Sequence, residues 1–274
     1  MPEGVHPYPR WNGRLATTTR VWTVAGGEVD RVRRSTWTSL VFLLGLAWGV
    51  ASVIELWQLR RDGTSVHEWA WFVDMLDQLR WFALAFAAAA GGPALLDDLR
   101  LGALELYLTR PLTARAYVVG KALALLGMTT AIMVVPSVLY IAASHGLYDD
   151  HPERWGRALP MAILYGVAWG ILVSGVALGL SAVGRSARAM AIAILGAFVG
   201  ADIVVGRLLS QLTQDDLFRL ASPFESHQAL GTFLFPAGVS VPFDPLWGVV
   251  VLVALSALGW GLLAWRRPRV RGEA

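Results

Sequence analysis

The amino-acid sequence predicts an all-α integral membrane protein of six transmembrane helices. Three observations lead there. Of 274 residues, 55% are hydrophobic and only 16% charged, against roughly 25% charged in a soluble domain. The apolar residues fall in blocks that reach the length of about 20 residues needed to cross a bilayer as a helix, where no water satisfies free backbone groups. Trp37, Trp57, Trp81, Trp155, Trp247 and Trp265 stand near block ends, as interfacial indoles do.

Residues 1–36 form a basic leading segment without an apolar core of signal-peptide type, so the first block is expected to persist as a helix. Within it Leu15, Val21, Trp22, Ala25, Val29 and Val32 recur at helical spacing, with Arg14, Arg20, Arg31 and Arg33 between them. This is the pattern of an amphipathic helix lying along the membrane surface, in contact with lipid. Gly26 and Gly27 weaken it. The transmembrane domain is placed at 37–265, with spans at 37–57, 75–96, 117–144, 158–182, 189–209 and 246–265. Gly91, Gly92 and Pro93 in the second block and Pro136 in the third are expected to bend helices rather than end them. The stretch 210–245 is too polar and proline-rich for a straight span; its apolar patches at 217–224 and 229–235 are either short helices dipping into the outer leaflet or a surface loop. Residues 266–274 form a basic tail.

Orientation follows from the arginines, which make up 22 of the 23 basic residues. With the N-terminus inside, 16 basic residues fall on inner segments and 7 on outer ones, so both termini are expected to be cytoplasmic. Basic residues placed beside apolar blocks suit lipid headgroups, and no nucleic-acid partner is expected. The absence of cysteine excludes disulfides, thiolate metal sites and cysteine nucleophiles.

Few residues suggest chemistry. Lys121 is the one lysine and follows Gly120, but Arg115 stands where a phosphate-binding loop needs its first glycine and Ala122 where it needs Ser or Thr. No ATP site or other cofactor site is expected in this chain, and no catalytic residue. An intramembrane enzyme is disfavoured, since the spans hold no paired aspartates and no Ser–His arrangement. Asp74, Asp77 and Arg80, at i, i+3 and i+6, read as an ion-pair ladder on one helix face. Asp202 is the most deeply placed carboxylate and a candidate for a substrate path or a subunit interface. The turn with His145, Tyr148, Asp149, Asp150 and His151 matches no strong ligand pattern, and no metal is expected there.

The segment 97–116 between the second and third spans is the informative one. Leu101, Leu104, Tyr107 and Leu108 share one face of a short helix that Pro111 ends, a shape suited to docking on a soluble partner. Gly102, Leu104, Glu105, Leu106, Pro111, Arg115, Gly120 and Lys121 resemble the cytoplasmic signature of ABC-2 type permeases. Ala103 stands where that family often has Thr, and Thr113 and Ala114 where Ser or Thr directly before Arg is usual. By length and layout the chain looks similar to the stand-alone permeases grouped with copper-enzyme maturation. The resemblance implies a type V exporter-like bundle in the inner membrane with an N-terminal interfacial helix and a cytoplasmic coupling helix. It further implies pairing with a second, identical or homologous permease, and a separate ABC ATPase that binds ATP and Mg and drives export. Gly102, Leu104, Glu105, Leu108, Pro111 and Arg115 would couple that ATPase to the membrane, with Glu105 held against Arg31, Arg33 or Arg34, or against an arginine of the ATPase. A non-transporting component that passes ATPase motion to another partner is the alternative.

Overall fold

The computed structural model describes residues 19–62, 68–100, 113–147, 152–235 and 239–265. The regular elements among them are all helical. Helix α1 (Thr19–Arg34) precedes α2 (Thr36–Arg61), α3 (Glu68–Arg100), α4 (Ala114–Leu147) and α5 (Pro152–Val183). Helix α6 (Ala187–Gly200) runs on through a π-helical stretch (Ala201–Leu209) into α7 (Ser210–Thr213). A 3-10 turn (Asp216–Ala221), α8 (Pro223–Leu234) and α9 (Pro245–Trp265) complete the chain.

Six helices are long and apolar enough to cross a membrane: Thr36–Leu59, Ala70–Asp98, Arg115–Ser144, Gly156–Val183, Ala187–Thr213 and Pro245–Trp265. The chain is therefore a multi-pass membrane protein. Because the spans alternate, α1, the end of α3, the start of α4 and the Gly184–Ser186 link share one end of the bundle, the α1 end. The 3-10 turn and α8 lie at the other, the α8 end. All six start a little earlier than the sequence suggests, and two outrun the expectation by four residues or more. The fifth continues past 209 because the hydroxyls of Ser210 and Thr213 bond back to the carbonyls of Arg207 (3.3 Å) and Leu209 (2.8 Å), satisfying polar side chains inside the helix. The second starts at Ala70, five residues before 75, with its charged residues carried on one helix face.

Helix α3 is the axis of the bundle, and α5 packs against it, α4 and α9. The spans of α2, α6 and α9 lie at the periphery, where Leu43, Ile54, Ile192, Val253 and Leu258 are exposed as a lipid-facing surface requires. Lipid tails are as apolar as leucine, so helices gain little from hiding leucine and associate through close backbone approach. The glycines serve that purpose. A Cβ on Gly49 of α2 would fall 2.1 Å from the Cβ of Pro136 in α4, and one on Gly259 of α9 would fall 2.6 Å from the amide nitrogen of Val176 in α5.

Helix α1 exists as expected, with one side packed on the bundle and another left open. Ala25, Glu28 and Val32 are buried, whereas Trp22, read as part of the apolar face, is 68% exposed. A Cβ on Gly120 would fall 2.7 Å from the Cβ of Val24 and 2.8 Å from the carbonyl of Val21, so α1 rests directly on α4. Gly26 and Gly27 lie on the open side of α1, with no atom near enough to meet an added Cβ.

Candidate functional site

Two polar sites occupy opposite ends of the bundle. The first is built on the last turns of α3. Pro93 has no N–H and cannot close its i−4 hydrogen bond, which loosens the ladder around it. Ser181 of α5 packs on the backbone around it: its hydroxyl donates to the Gly92 carbonyl (2.9 Å) and accepts from the amides of Leu95 (3.2 Å) and Leu96 (3.3 Å). Two neighbouring carbonyls take donors from other helices. Arg31 of α1 donates to Ala90 at 2.8 Å, and Lys121 of α4 donates to Ala94. Thus α1, α4 and α5 each hold the backbone of α3 within about three turns of its end.

Lys121 is the centre of this grip. Its side chain is 5% exposed, and its three protons meet three acceptors: the Ala94 carbonyl, Asp98 Oδ2 at 2.5 Å and Glu28 Oε2 at 3.1 Å. Arg31 bonds the other oxygen of Glu28, its Nε at 3.0 Å, and the Tyr117 hydroxyl donates to Asp98. Two cations thus balance two carboxylates, the condition under which charge survives burial. Asp98 stands on α3 two residues before its end, and Lys121 on α4 seven residues after its start. The ion cluster therefore clasps both helices that flank the connector and ties them to α1.

Of the residues singled out in the sequence, Arg115 lies exposed in the first turn of α4. Gly102, Leu104, Glu105, Leu108 and Pro111 lie outside the described residues, as do Tyr148, Asp149, Asp150 and His151. Arg31 has Glu28 of its own helix as its carboxylate partner, and Arg33 pairs with Asp30 at 3.8 Å. Glu28 was missed although the signal was present: it falls at helical spacing on the stripe formed by Val21, Ala25 and Val32.

The second site is at the α8 end. Asp202 stands in the first turn of the π-helical stretch and is 1% exposed. Its Oδ1 accepts from Ser222 Oγ at 2.5 Å and its Oδ2 pairs with Arg207 at 3.1 Å. Ser222 is also the N-cap of α8, accepting from the amide of Glu225 at 3.2 Å, so Asp202 fastens the fifth span to the start of α8. Arg80 of α3 bonds Asp77 at 2.7 Å and the Phe224 carbonyl at 2.8 Å, with Phe224 and Trp169 rings 5.6 and 5.8 Å from its guanidinium. The expected ladder is thus a pair, Asp77 with Arg80; Asp74 is exposed. Arg80, counted with the outer loops in the charge tally, is 5% exposed inside the second span. No known family model matches the chain, and no curated protein is similar to it.

The first half of helix α8 is buried, including Glu225, Ser226 and His227, while Phe233 near its end is exposed. His227 lies 3.4 Å by Nδ1 from Arg80 Nη1 and 2.9 Å by Nε2 from the Tyr165 carbonyl. A guanidinium only donates and a carbonyl only accepts, so Nδ1 is the acceptor and Nε2 carries the proton: the imidazole is neutral. Burial, then the charge of Arg80, push its pKa well below the usual range. Between α3, the π stretch, the 3-10 turn and α8 opens a cavity of about 660 Å³. Its lining includes Asp77, Arg80, Trp81, Asp202, Arg207, Asp216, Arg219, Phe224, Glu225 and Gln228. Among the described residues no cluster of three or more His, Cys, Asp or Glu could hold a metal ion.

Proposed function

We propose that the chain is the permease subunit of an ATP-driven ABC-2 type transporter, acting as a pair of membrane subunits with separate ATPases and exporting its substrate across the inner membrane. In this reading the α1 end and both termini are cytoplasmic, and the chain itself hydrolyses no ATP. The observation that carries it is the clasp of Glu28, Asp98 and Lys121 around the helices that flank the 101–112 connector. A soluble ATPase that pushes on the connector would move the end of α3 and the start of α4. Those ends cannot move without α1, because separating any member of the cluster strands a buried charge at a cost of about 3–5 kcal/mol. The clasp supports rigid transmission from a docked partner to three helices at once. The signature resemblance supports the identity of that partner, and the motif residues Gly120 and Lys121 have physical work in it: the first admits α1, the second binds it.

The experiment is reconstitution with the partner ATPase. Leu104→Asp or Leu108→Asp is expected to abolish co-purification of the ATPase, and Glu105→Gln to leave assembly intact while reducing substrate-linked hydrolysis. Robust ATP hydrolysis by the isolated chain, or unaltered assembly and transport in all three variants, overturns the reading.

A further inference from the structure

The fifth span leaves α geometry over nine residues, Ala201–Leu209, where it runs as a π-helix. A π-helix is rare and mostly confined to single turns, so a run of this length calls for a cause. The side chains supply one. Asp202 and Arg207 pair at 3.1 Å and stand five residues apart. In an α-helix residues five apart point about 140° away from each other around the axis, and the neighbours are those three or four apart. Bonding from i to i+5 closes each turn over five residues and sets the two side chains one above the other. The ion pair therefore belongs to the π form and stabilises it. Ser222, the N-cap of α8, adds to the hold from outside: it donates to Asp202 at 2.5 Å, and a Cβ on Gly206 would fall 3.0 Å from its own Cβ.

Conversion of the stretch to α keeps its backbone hydrogen-bonded, trading i+5 bonds for i+4 bonds. It gives up the side-chain contacts of Asp202 and relieves the π backbone, and two arrangements so related make a bistable element. The end of the span is held from outside as well. Gln214 has φ 57° without being glycine, a conformation that persists only where the surroundings impose it and that gathers at switch regions.

We infer that Ala201–Leu209 is a two-state segment, latched in its π form by the Asp202–Arg207 pair, whose conversion to α moves one wall of the cavity at the α8 end. Asp202, Arg207, Ser210, Gln211 and Gln214 belong to that wall. One residue of register turns the 210–214 end by about 100° and shifts it by about 1.5 Å, while Asp77, Arg80 and Trp81 keep their places on α3. Arg207 is the exposed member of the pair and lines the cavity, so the latch is accessible from there. Nothing in this switch depends on a partner ATPase.

The test is oxidative crosslinking of paired cysteines in the full chain, otherwise cysteine-free, in nanodiscs. Ile203, Val204 and Leu208 are exposed. Ile203→Cys with Leu208→Cys, five apart, is adjacent in the π form alone; Val204→Cys with Leu208→Cys, four apart, is adjacent in both forms and serves as the reference. After oxidation with copper phenanthroline, the thiols left free are counted with a maleimide on the unfolded monomer. Both pairs are expected to crosslink in the parent chain. Arg207→Gln is expected to slow the 203–208 crosslink about tenfold or more relative to 204–208, because it removes the latch. Should Arg207→Gln fail to melt cooperatively, Asp202→Asn combined with Arg207→Gln, which strands no charge, decides by the same ratio. A parent chain whose 203–208 pair does not crosslink, or a folded latch variant whose ratio is unchanged, overturns the switch.

Discussion

Lys121→Met keeps the aliphatic stem of the side chain and removes its ammonium. Three acceptors lose their donor: Glu28, Asp98 and the Ala94 carbonyl. Stranding one member of a buried ion pair costs about 3–5 kcal/mol. Two features hold the loss near the lower figure. Glu28 retains Arg31 and Asp98 retains the Tyr117 hydroxyl, and the Asp98 side chain is 20% exposed and partly served by solvent. The expected destabilisation is about 3 kcal/mol, roughly a hundredfold in the folding equilibrium. Unfolding of the purified chain in mixed micelles by titration with dodecyl sulfate measures it. Asp98→Asn should also destabilise, and the double variant should lose less than the two single losses added together, with a coupling of about 0.5–3 kcal/mol, because the second substitution removes a charge the first had stranded. A Lys121→Met chain within about 0.5 kcal/mol of the parent, or strict additivity in the cycle, refutes the clasp.

Gly259→Ala is expected to destabilise by about 1–3 kcal/mol through overpacking against α5, whereas Gly261→Ala in the same helix, with no atom within 4 Å of an added Cβ, should be neutral or stabilising by up to about 1 kcal/mol; the two melting curves together check the close approach. A single cysteine at Gln214 should react with a membrane-impermeant maleimide in intact cells and one at Arg115 should not, a comparison the cysteine-free chain permits. The pKa of His227 is lowered on folding, so the unfolded chain takes up the proton first as pH falls. The stability contributed by the neutral ring is full above about pH 6.5 and declines from there downward. Thermal melts from neutral to mildly acidic pH should show this loss in the parent and a shallower one in His227→Gln.

The spans were legible because lipid imposes a uniform requirement that apolar blocks answer one by one. Helix α8 was only half legible for the opposite reason. Protein buries it, and protein can satisfy Glu225, Ser226 and His227 with specific partners, so its sequence is free to look like a loop. Arg80 was misplaced because a charge tally counts residues without depth, and a guanidinium with a carboxylate, a carbonyl and two rings around it can lie within a span. The clasp was legible in part. Glu28 interrupts an apolar stripe, and a lone lysine between apolar blocks invites a partner. The role of Ser181 had no such signal, since it meets Gly92 from 89 residues away along the chain. Pro93 showed that α3 would need help there, and only the packing shows where the help comes from.

The uniqueness of Lys121 has a consequence for chemistry done on the molecule. Its ε-amine is the one lysine amine in the chain, and it is sealed among its acceptors. Acylating reagents reach it only when the cluster parts, so the rate at which that amine becomes modified is a clock for opening at the α1 end. Arginines, 22 in number, are silent to the same reagents. A mass measurement on the peptide that carries Lys121, which sets aside acylation of the chain's α-amine, taken over time with and without the proposed ATPase, would then read the motion of three helices from one side chain.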